Sequence, residues 1–130
     1  MKSVLFLFLI GLSHGVGAQY SLIFCEDVTR DGKPTAVSNS FMVDEDGGML
    51  KFLLKAEDGI NTDKIEYRIL YVHSNANEEE VARMSQNTEP TWNYAWKEVI
   101  FFDPGTYKVK VYTGRGSYLT AATLTIQARW

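Results

Sequence analysis

The sequence has little cysteine and histidine, with one cysteine and two histidines among 130 residues. A single cysteine excludes an intramolecular disulfide, and three such residues are fewer than the roughly four ligands of a closed zinc site. The sequence also lacks the Gly-rich phosphate-binding loop and the nucleophile elbow that mark nucleotide-binding proteins and serine hydrolases. These absences argue against an enzyme, and we expect a non-catalytic protein that needs no cofactor.

Long hydrophobic runs are also missing. The longest covers residues 4–12, whereas a helix needs about 20 apolar residues to cross a bilayer. Lys2 precedes this run and the small residues Val16, Gly17 and Ala18 follow it, which is the order found in a secretory signal peptide. We predict a signal peptide at residues 1–18, cleavage after Ala18, and an exported chain of residues 19–130 in the periplasm or outside the cell, with no transmembrane segment.

Positive charge is not in excess. The 13 Lys and Arg residues face 16 Asp and Glu residues, and loss of Lys2 with the leader lowers the basic count to 12 and the formal net charge from −3 to −4. The basic residues are scattered among acidic ones, whereas binding of a nucleic acid depends on clustered Lys and Arg. We therefore expect no nucleic acid partner.

Alternation of apolar and polar residues dominates the rest of the chain. Ile65, Tyr67, Ile69 and Tyr71 fall on one face of an extended segment, with charged residues on the other face. The same pattern predicts seven strands, at residues 20–27, 36–43, 49–56, 64–72, 95–102, 106–113 and 118–128. Turns rich in Gly, Asp and Pro separate them and favour short antiparallel connections. The sequence predicts one all-β antiparallel sandwich over residues 19–130.

The longest gap between these strands, residues 73–91, has a helical pattern. Asn77 can cap a helix, and Glu80 lies three positions after it, as in a capping box. Val81 and Met84 are three residues apart and share a face of a helix. We predict one short helix in the 73–91 crossover, packed at a sheet edge.

An acidic turn is a candidate metal site. Asp44, Glu45 and Asp46 are consecutive and precede two glycines, and a loop of a β-sandwich can present such oxygens to calcium. The spacing does not match an EF-hand, and charge at the tip of a hairpin also favours solubility. Both interpretations remain open.

The segment from Thr91 to Trp96 is a candidate binding site. In an extended chain Trp92, Tyr94 and Trp96 project to the same side and could present flat rings to a sugar or to an apolar group of another protein. The alternative is that the rings close one end of the sandwich or lie beneath the 73–91 crossover. Solvent exposure of both tryptophans would favour a binding role.

The stretch from Phe102 to Val111 carries a resemblance to a known family. Its order of acid, Gly and Tyr followed by alternating apolar residues resembles the penultimate strand of immunoglobulin-like and fibronectin-type domains. The whole sequence is similar to small secreted proteins of this type from Bacteroidetes-type bacteria. The resemblance implies an Ig-like β-sandwich in which the hydroxyl of Tyr107 bonds back to the chain upstream. From its place in a predicted strand, we expect Cys25 to be a small buried side chain, with an intermolecular disulfide or a reactive thiol as the alternatives.

The sequence is therefore interpreted as an exported binding or interaction module of the cell envelope or extracellular space. Its partner would be another protein or a glycan, contacted by an edge strand or by Trp92, Tyr94 and Trp96. The alternative function is a calcium- or carbohydrate-binding domain. Such a fold serves many functions, so it does not choose between them.

Overall fold

The computed structural model describes residues 19–130, and the predicted signal peptide at residues 1–18 lies outside them. Residues 19–130 form ten β-strands and contain no α-helix, so none that could span a membrane. The strands are β1 (Tyr20–Cys25), β2 (Asp27–Val28), β3 (Pro34–Thr35), β4 (Ser40–Val43), β5 (Gly48–Ala56), β6 (Lys64–Val72), β7 (Glu78–Asn87), β8 (Tyr94–Phe101), β9 (Gly105–Thr113) and β10 (Tyr118–Ala128).

The strands form two packed sheets and a small hairpin. The larger sheet has the order β4-β10-β9-β6-β7, and the smaller has the order β1-β5-β8. The pair of β2 and β3 forms the hairpin. All pairs are antiparallel except β4 with β10, which are parallel. The chain leaves the smaller sheet after β1 and forms the edge of the larger sheet at β4. The expected all-β architecture is confirmed, with ten strands in place of seven.

The core lies between the two sheets and is filled from both. Alternate residues of each strand point inward, as the period of two requires. Ile69, Val109 and Ile126 are buried in the larger sheet, opposite Leu50 and Phe52 of the smaller one. Most of the buried apolar side chains form one continuous cluster between the sheets, and the fully buried Leu53 and Cys25 lie outside this cluster.

Two of the predicted strands are shorter in the structure. The predicted strand 20–27 is divided at Glu26, whose backbone N–H donates to the carbonyl of Thr35 in the hairpin. The predicted strand 36–43 shrinks to β4, because Ala36 has a φ of 53° and the hydroxyl of Ser38 bonds to both backbone groups of Ser40. These local bonds replace ladder bonds at residues 36–39.

The predicted helix in the 73–91 crossover is wrong, because residues 78–87 form β7. This strand pairs with β6, and the pairing has a bulge opposite Ile69 and Leu70. The bulge leaves Val81 without an opposite residue on β6, so Val81 and Met84, three positions apart, face the same depression although the segment is extended. A three-residue apolar spacing thus fits a bulged strand as well as a helix, and pairing with β6 decides the conformation.

The hydroxyl of Tyr107 donates a hydrogen bond to the backbone carbonyl of Asp103, four residues upstream, at 2.8 Å. The Tyr107 side chain is buried and its ring contacts those of Tyr71 and Phe101. Burial raises the pKa of this phenol, with the nearby Asp103 carboxylate as a smaller cause. The hydroxyl therefore stays protonated and can donate at neutral pH.

Replacing this hydroxyl provides the first test of the fold. We expect Tyr107→Phe to lower the free energy of unfolding by about 1 to 2 kcal/mol, because the carbonyl of Asp103 loses its partner. The measurement is urea unfolding at pH 7. Tyr118→Phe is the matched control, since Tyr118 is exposed and its loss of a hydroxyl should change stability little. Equal effects of the two substitutions would contradict the assignment.

The turn between β6 and β7 gives a second test. Ala76 has a φ of 71°, and its backbone N–H donates to the carbonyl of His73. A left-handed conformation costs alanine about 1 to 2 kcal/mol, which glycine avoids at a smaller entropic cost. We expect Ala76→Gly to stabilise the chain by about 0.5 to 1 kcal/mol in urea unfolding. Ala121→Gly within β10 should destabilise it, and a loss of stability in Ala76→Gly would contradict the hairpin.

Candidate binding site at the open side of the sandwich

The sandwich is open on the side that is bordered by β7 of the larger sheet and β8 of the smaller sheet. Strand β7 pairs only with β6, and β8 pairs only with β5, so each has one unpaired edge. The amide of Gln86 on β7 donates to the backbone carbonyl of Trp96 on β8 at 2.8 Å. This bond connects the two edges and divides the open side into two depressions.

The first depression is an aromatic cleft of about 540 Å³, lined by Gln86, Thr91, Trp92, Asn93, Tyr94, Ala95 and Trp96. Trp92 is 42% exposed and Trp96 is 41% exposed. Trp92 lies in the loop before β8, and Trp96 lies on the outer face of β8. The structure thus places both predicted tryptophans beside one cleft and leaves both accessible to solvent.

The third predicted aromatic residue, Tyr94, is held by the chain itself. Its hydroxyl donates to the carbonyl of Arg30 at 2.7 Å, and its ring lies directly over Gly32. A Cβ at Gly32 would lie 2.7 Å from this ring, and the φ of 85° also favours glycine. Tyr94 therefore anchors the β2–β3 hairpin and contributes less surface to the cleft than the two tryptophans.

The β2–β3 hairpin covers part of the outer face of the smaller sheet. The ammonium of Lys51 bonds Asp27 of the hairpin at 2.6 Å and lies 4.8 Å from the centre of the Trp96 ring. The bond with Lys51 lowers the pKa of the Asp27 carboxyl, and a bond from the backbone of Val28 adds to this effect. The ion pair thus links the hairpin to the aromatic cleft.

Cys25 is fully buried at the end of β1, and burial raises the pKa of its thiol. Its sulfur lies 3.8 Å from the carbonyl oxygen of Lys51. A protonated thiol without solvent access is a weak nucleophile.

The second depression is an apolar groove of about 710 Å³ between β7 and β8, on the other side of Gln86. Val81 and Met84 of β7 face Val99 and Phe101 of β8 across it. Ile100 and Phe102 lie beside the groove and are each 54% exposed. Sequence reasoning missed this groove because it placed a helix where β7 lies.

The acidic turn connects β4 to β5, and its Gly47 packs closely against Ile100 and Phe102, beside the apolar groove. The carboxylate of Asp44 is 3.2 Å from the guanidinium of Arg129, and Glu45 and Asp46 are exposed at the turn between β4 and β5. In the part of the chain that the structure describes, no three His, Cys, Asp or Glu side chains are grouped to hold a metal ion. Calcium binding by Asp44, Glu45 and Asp46 stays a prediction. Arg129 would compete with the ion for the carboxylate of Asp44.

No protein-family model and no curated protein matches this sequence. Among solved structures, an immunoglobulin-like protein from Pseudomonas aeruginosa superposes with a TM-score of 0.52 at 8% sequence identity, covering 82% of this chain and 92% of its own. The fold is immunoglobulin-like. At this identity the likeness shows the fold alone, and the bacterial group expected from the resemblance stays a prediction.

Two other solved structures are less similar. A superoxide reductase from Ignicoccus hospitalis has a TM-score of 0.42 at 10% identity and covers 71% of this chain and 76% of its own. An alkylpurine DNA glycosylase from Pseudomonas fluorescens has a TM-score of 0.43 at 17% identity and covers 82% of this chain and 30% of its own. Likenesses of this size carry no conclusion about the present chain.

The Asp27–Lys51 pair predicts a pH dependence of stability. The folded pKa of Asp27 is lowered, so its contribution is present above the unfolded value of about 4 and is lost as the pH falls through the folded pKa. We expect Asp27→Asn to be less stable at pH 7 and to lose less stability between pH 5 and pH 2. Urea unfolding at several pH values measures this.

Lys51→Gln is the control for this pair. In that background Asp27→Asn should have a smaller effect at pH 7, because the partner is gone. Additive effects of the two substitutions would contradict a coupling between them.

Proposed function

We propose that this chain is an exported, non-catalytic binding module that contacts its partner with the open side of the sandwich. The observation that carries the proposal is the aromatic cleft, where Trp92 and Trp96 each leave about two fifths of their surface exposed. Tryptophan is enriched at binding sites because it buries a large rigid surface at low entropic cost. Single exposed apolar side chains are common on protein surfaces, whereas two exposed tryptophans beside one cleft support a binding site.

The backbone around the cleft is held in place. The N–H of Trp92 donates to the carbonyl of Glu89 at 3.0 Å, and its carbonyl accepts from Ile60 at 2.7 Å. The amide of Asn93 donates to the carbonyls of Ala56 and Glu57. A cleft that is preformed in this way loses little conformational entropy on binding.

A protein partner of the envelope or extracellular space is the first candidate. The cleft lies next to two unpaired strand edges, and such edges bind extended segments of other proteins. The net charge of −3 does not favour nucleic acid.

A carbohydrate is the second candidate, and one observation favours it. The aromatic cleft combines two exposed indole rings with the polar side chains of Thr91 and Asn93. Sugar rings stack on such surfaces while their hydroxyls bond to polar neighbours. The ring of Tyr94 is held by the hairpin, so this platform has two rings rather than the three that the sequence predicts.

Tryptophan emission tests this proposal directly. In a Trp130→Phe background, Trp92 and Trp96 are the only tryptophans in the chain. We expect an envelope extract fraction or a glycan that binds the chain to shift or quench this emission. The double variant Trp92→Ala with Trp96→Ala, made in the unaltered chain, should weaken binding at least about tenfold.

Trp130→Ala is the matched control, because Trp130 is exposed at the terminus and does not line the cleft. It should bind as the unaltered chain does, and thermal melts check that all variants fold. Retained affinity in the double variant would exclude the aromatic cleft as the contact.

A further inference from the structure

The free edge of β8 is defined by its pairing with β5. The N–H of Ala56 donates to the carbonyl of Asn93 at 2.8 Å, and hydrogen-bonded pairs alternate from there along the antiparallel ladder. The backbone groups that face away from β5 are therefore those of Tyr94, Trp96, Glu98 and Ile100. Among residues 19–130, the carbonyl of Trp96 has Gln86 as its partner, and no strand covers the rest of this row.

Apolar surface lies on both sides of this edge. The apolar groove opens between β7 and β8, where Met84, Val99 and Phe101 line it. On the outer face, Ile100 and Phe102 are more than half exposed. Successive side chains of an added strand point to opposite faces of the sheet, so one set would enter the groove and the other would lie beside Ile100.

The charge around the edge selects the kind of strand that fits. Glu98 points outward from the middle of β8, and Asp103 lies at the end of the groove. In the described chain neither carboxylate has an ion-pair partner within 4 Å. Lys51 lies opposite Glu98 but bonds to Asp27. Lys97 is the only basic residue of β8, and its side chain points to the face of the strand opposite that of Glu98.

Beyond the groove, Glu79 bonds to His73 at 2.9 Å and Arg83 is paired with Glu80 at 2.9 Å, so the charge beside the groove is that of Glu98 and Asp103. The rim is thus acidic. A second copy of this chain, with a net charge of −3, would bring the same acidic rim against it. A basic segment would meet the opposite charge.

We propose that β8 binds an extended segment of a partner protein by strand addition, and that this segment alternates apolar residues with Lys or Arg. The inference rests on the proposed binding function and names the chemistry of the partner. Backbone bonds to the N–H of Trp96 and to both backbone groups of Glu98 and Ile100 supply the affinity, since Gln86 already holds the carbonyl of Trp96. Glu98 and Asp103 select the basic residues.

The probe is a synthetic ten-residue peptide that alternates valine with lysine and threonine. Its twin has glutamate in place of lysine, and two further versions are N-methylated at alternate residues in opposite phases. Hydrogen exchange of residues 19–130, followed by NMR, reports the amides of β8. We expect the lysine peptide to slow exchange at Trp96, Glu98 and Ile100, whose N–H groups face the free edge.

We expect the glutamate twin to bind at least about tenfold more weakly, and only one phase of N-methylation to abolish binding, because alternate backbone groups of an added strand face β8. Glu98→Gln should weaken binding of the lysine peptide about three- to tenfold. Glu57→Gln, at an exposed turn outside the groove, is the matched control and should leave the affinity unchanged.

Three results would overturn the inference: equal binding of the lysine and glutamate peptides, equal loss in both N-methylated phases, or no protection of the three amides. Protection that rises with protein concentration without peptide would assign the edge to a second copy and would also overturn it. If these peptides fail while a ligand still depends on Trp92 and Trp96, strand addition is wrong and the proposed binding function stands.

Discussion

The ring of Phe52 holds the two sheets together. Its centre lies 5.3 Å from that of Phe24 and 6.1 Å from that of Phe101 within the smaller sheet, and 5.8 Å from that of Tyr67 in the larger sheet. A chain with one cysteine has no disulfide to connect these layers, so packing and dispersion must do so. Together with the Phe101–Tyr107 contact at 5.0 Å, the Phe52–Tyr67 contact fixes the distance between the sheets whose edge strands, β7 and β8, border the open side.

The core also fixes the polar bridge across the open side. The hydroxyl of Tyr67 donates to Gln86 at 2.9 Å, and the amide of Gln86 donates to the carbonyl of Trp96. Burial raises the pKa of Tyr67, which keeps the phenol protonated and able to donate. Because the phenol occupies the amide oxygen, the NH₂ group must face β8. The aromatic cleft and the apolar groove are therefore separated by a bridge that originates in the core.

Much of the fold could be predicted from the sequence, because period-two patterning reports directly on burial. Strand β6 has the predicted bounds, and Ile69, Val109 and Ile126 are in the core. The sequence does not show where a strand carries a bulge, so β7 was predicted as a helix. It also could not show that Tyr94 would be anchored by Arg30, since 64 residues separate the two and only the folded hairpin brings them together.

The two unpaired edges differ in how they are protected against pairing. Strand β7 has a bulge and three consecutive glutamates at its start, two devices that discourage the addition of a strand. Strand β8 is regular and has apolar side chains at Trp96 and Ile100, with Glu98 as the one acidic residue. Because a single charge repels acidic segments and attracts basic ones, Glu98 makes the edge selective without closing it. Of the two edges, β8 is the one at which strand addition encounters the smaller structural barrier.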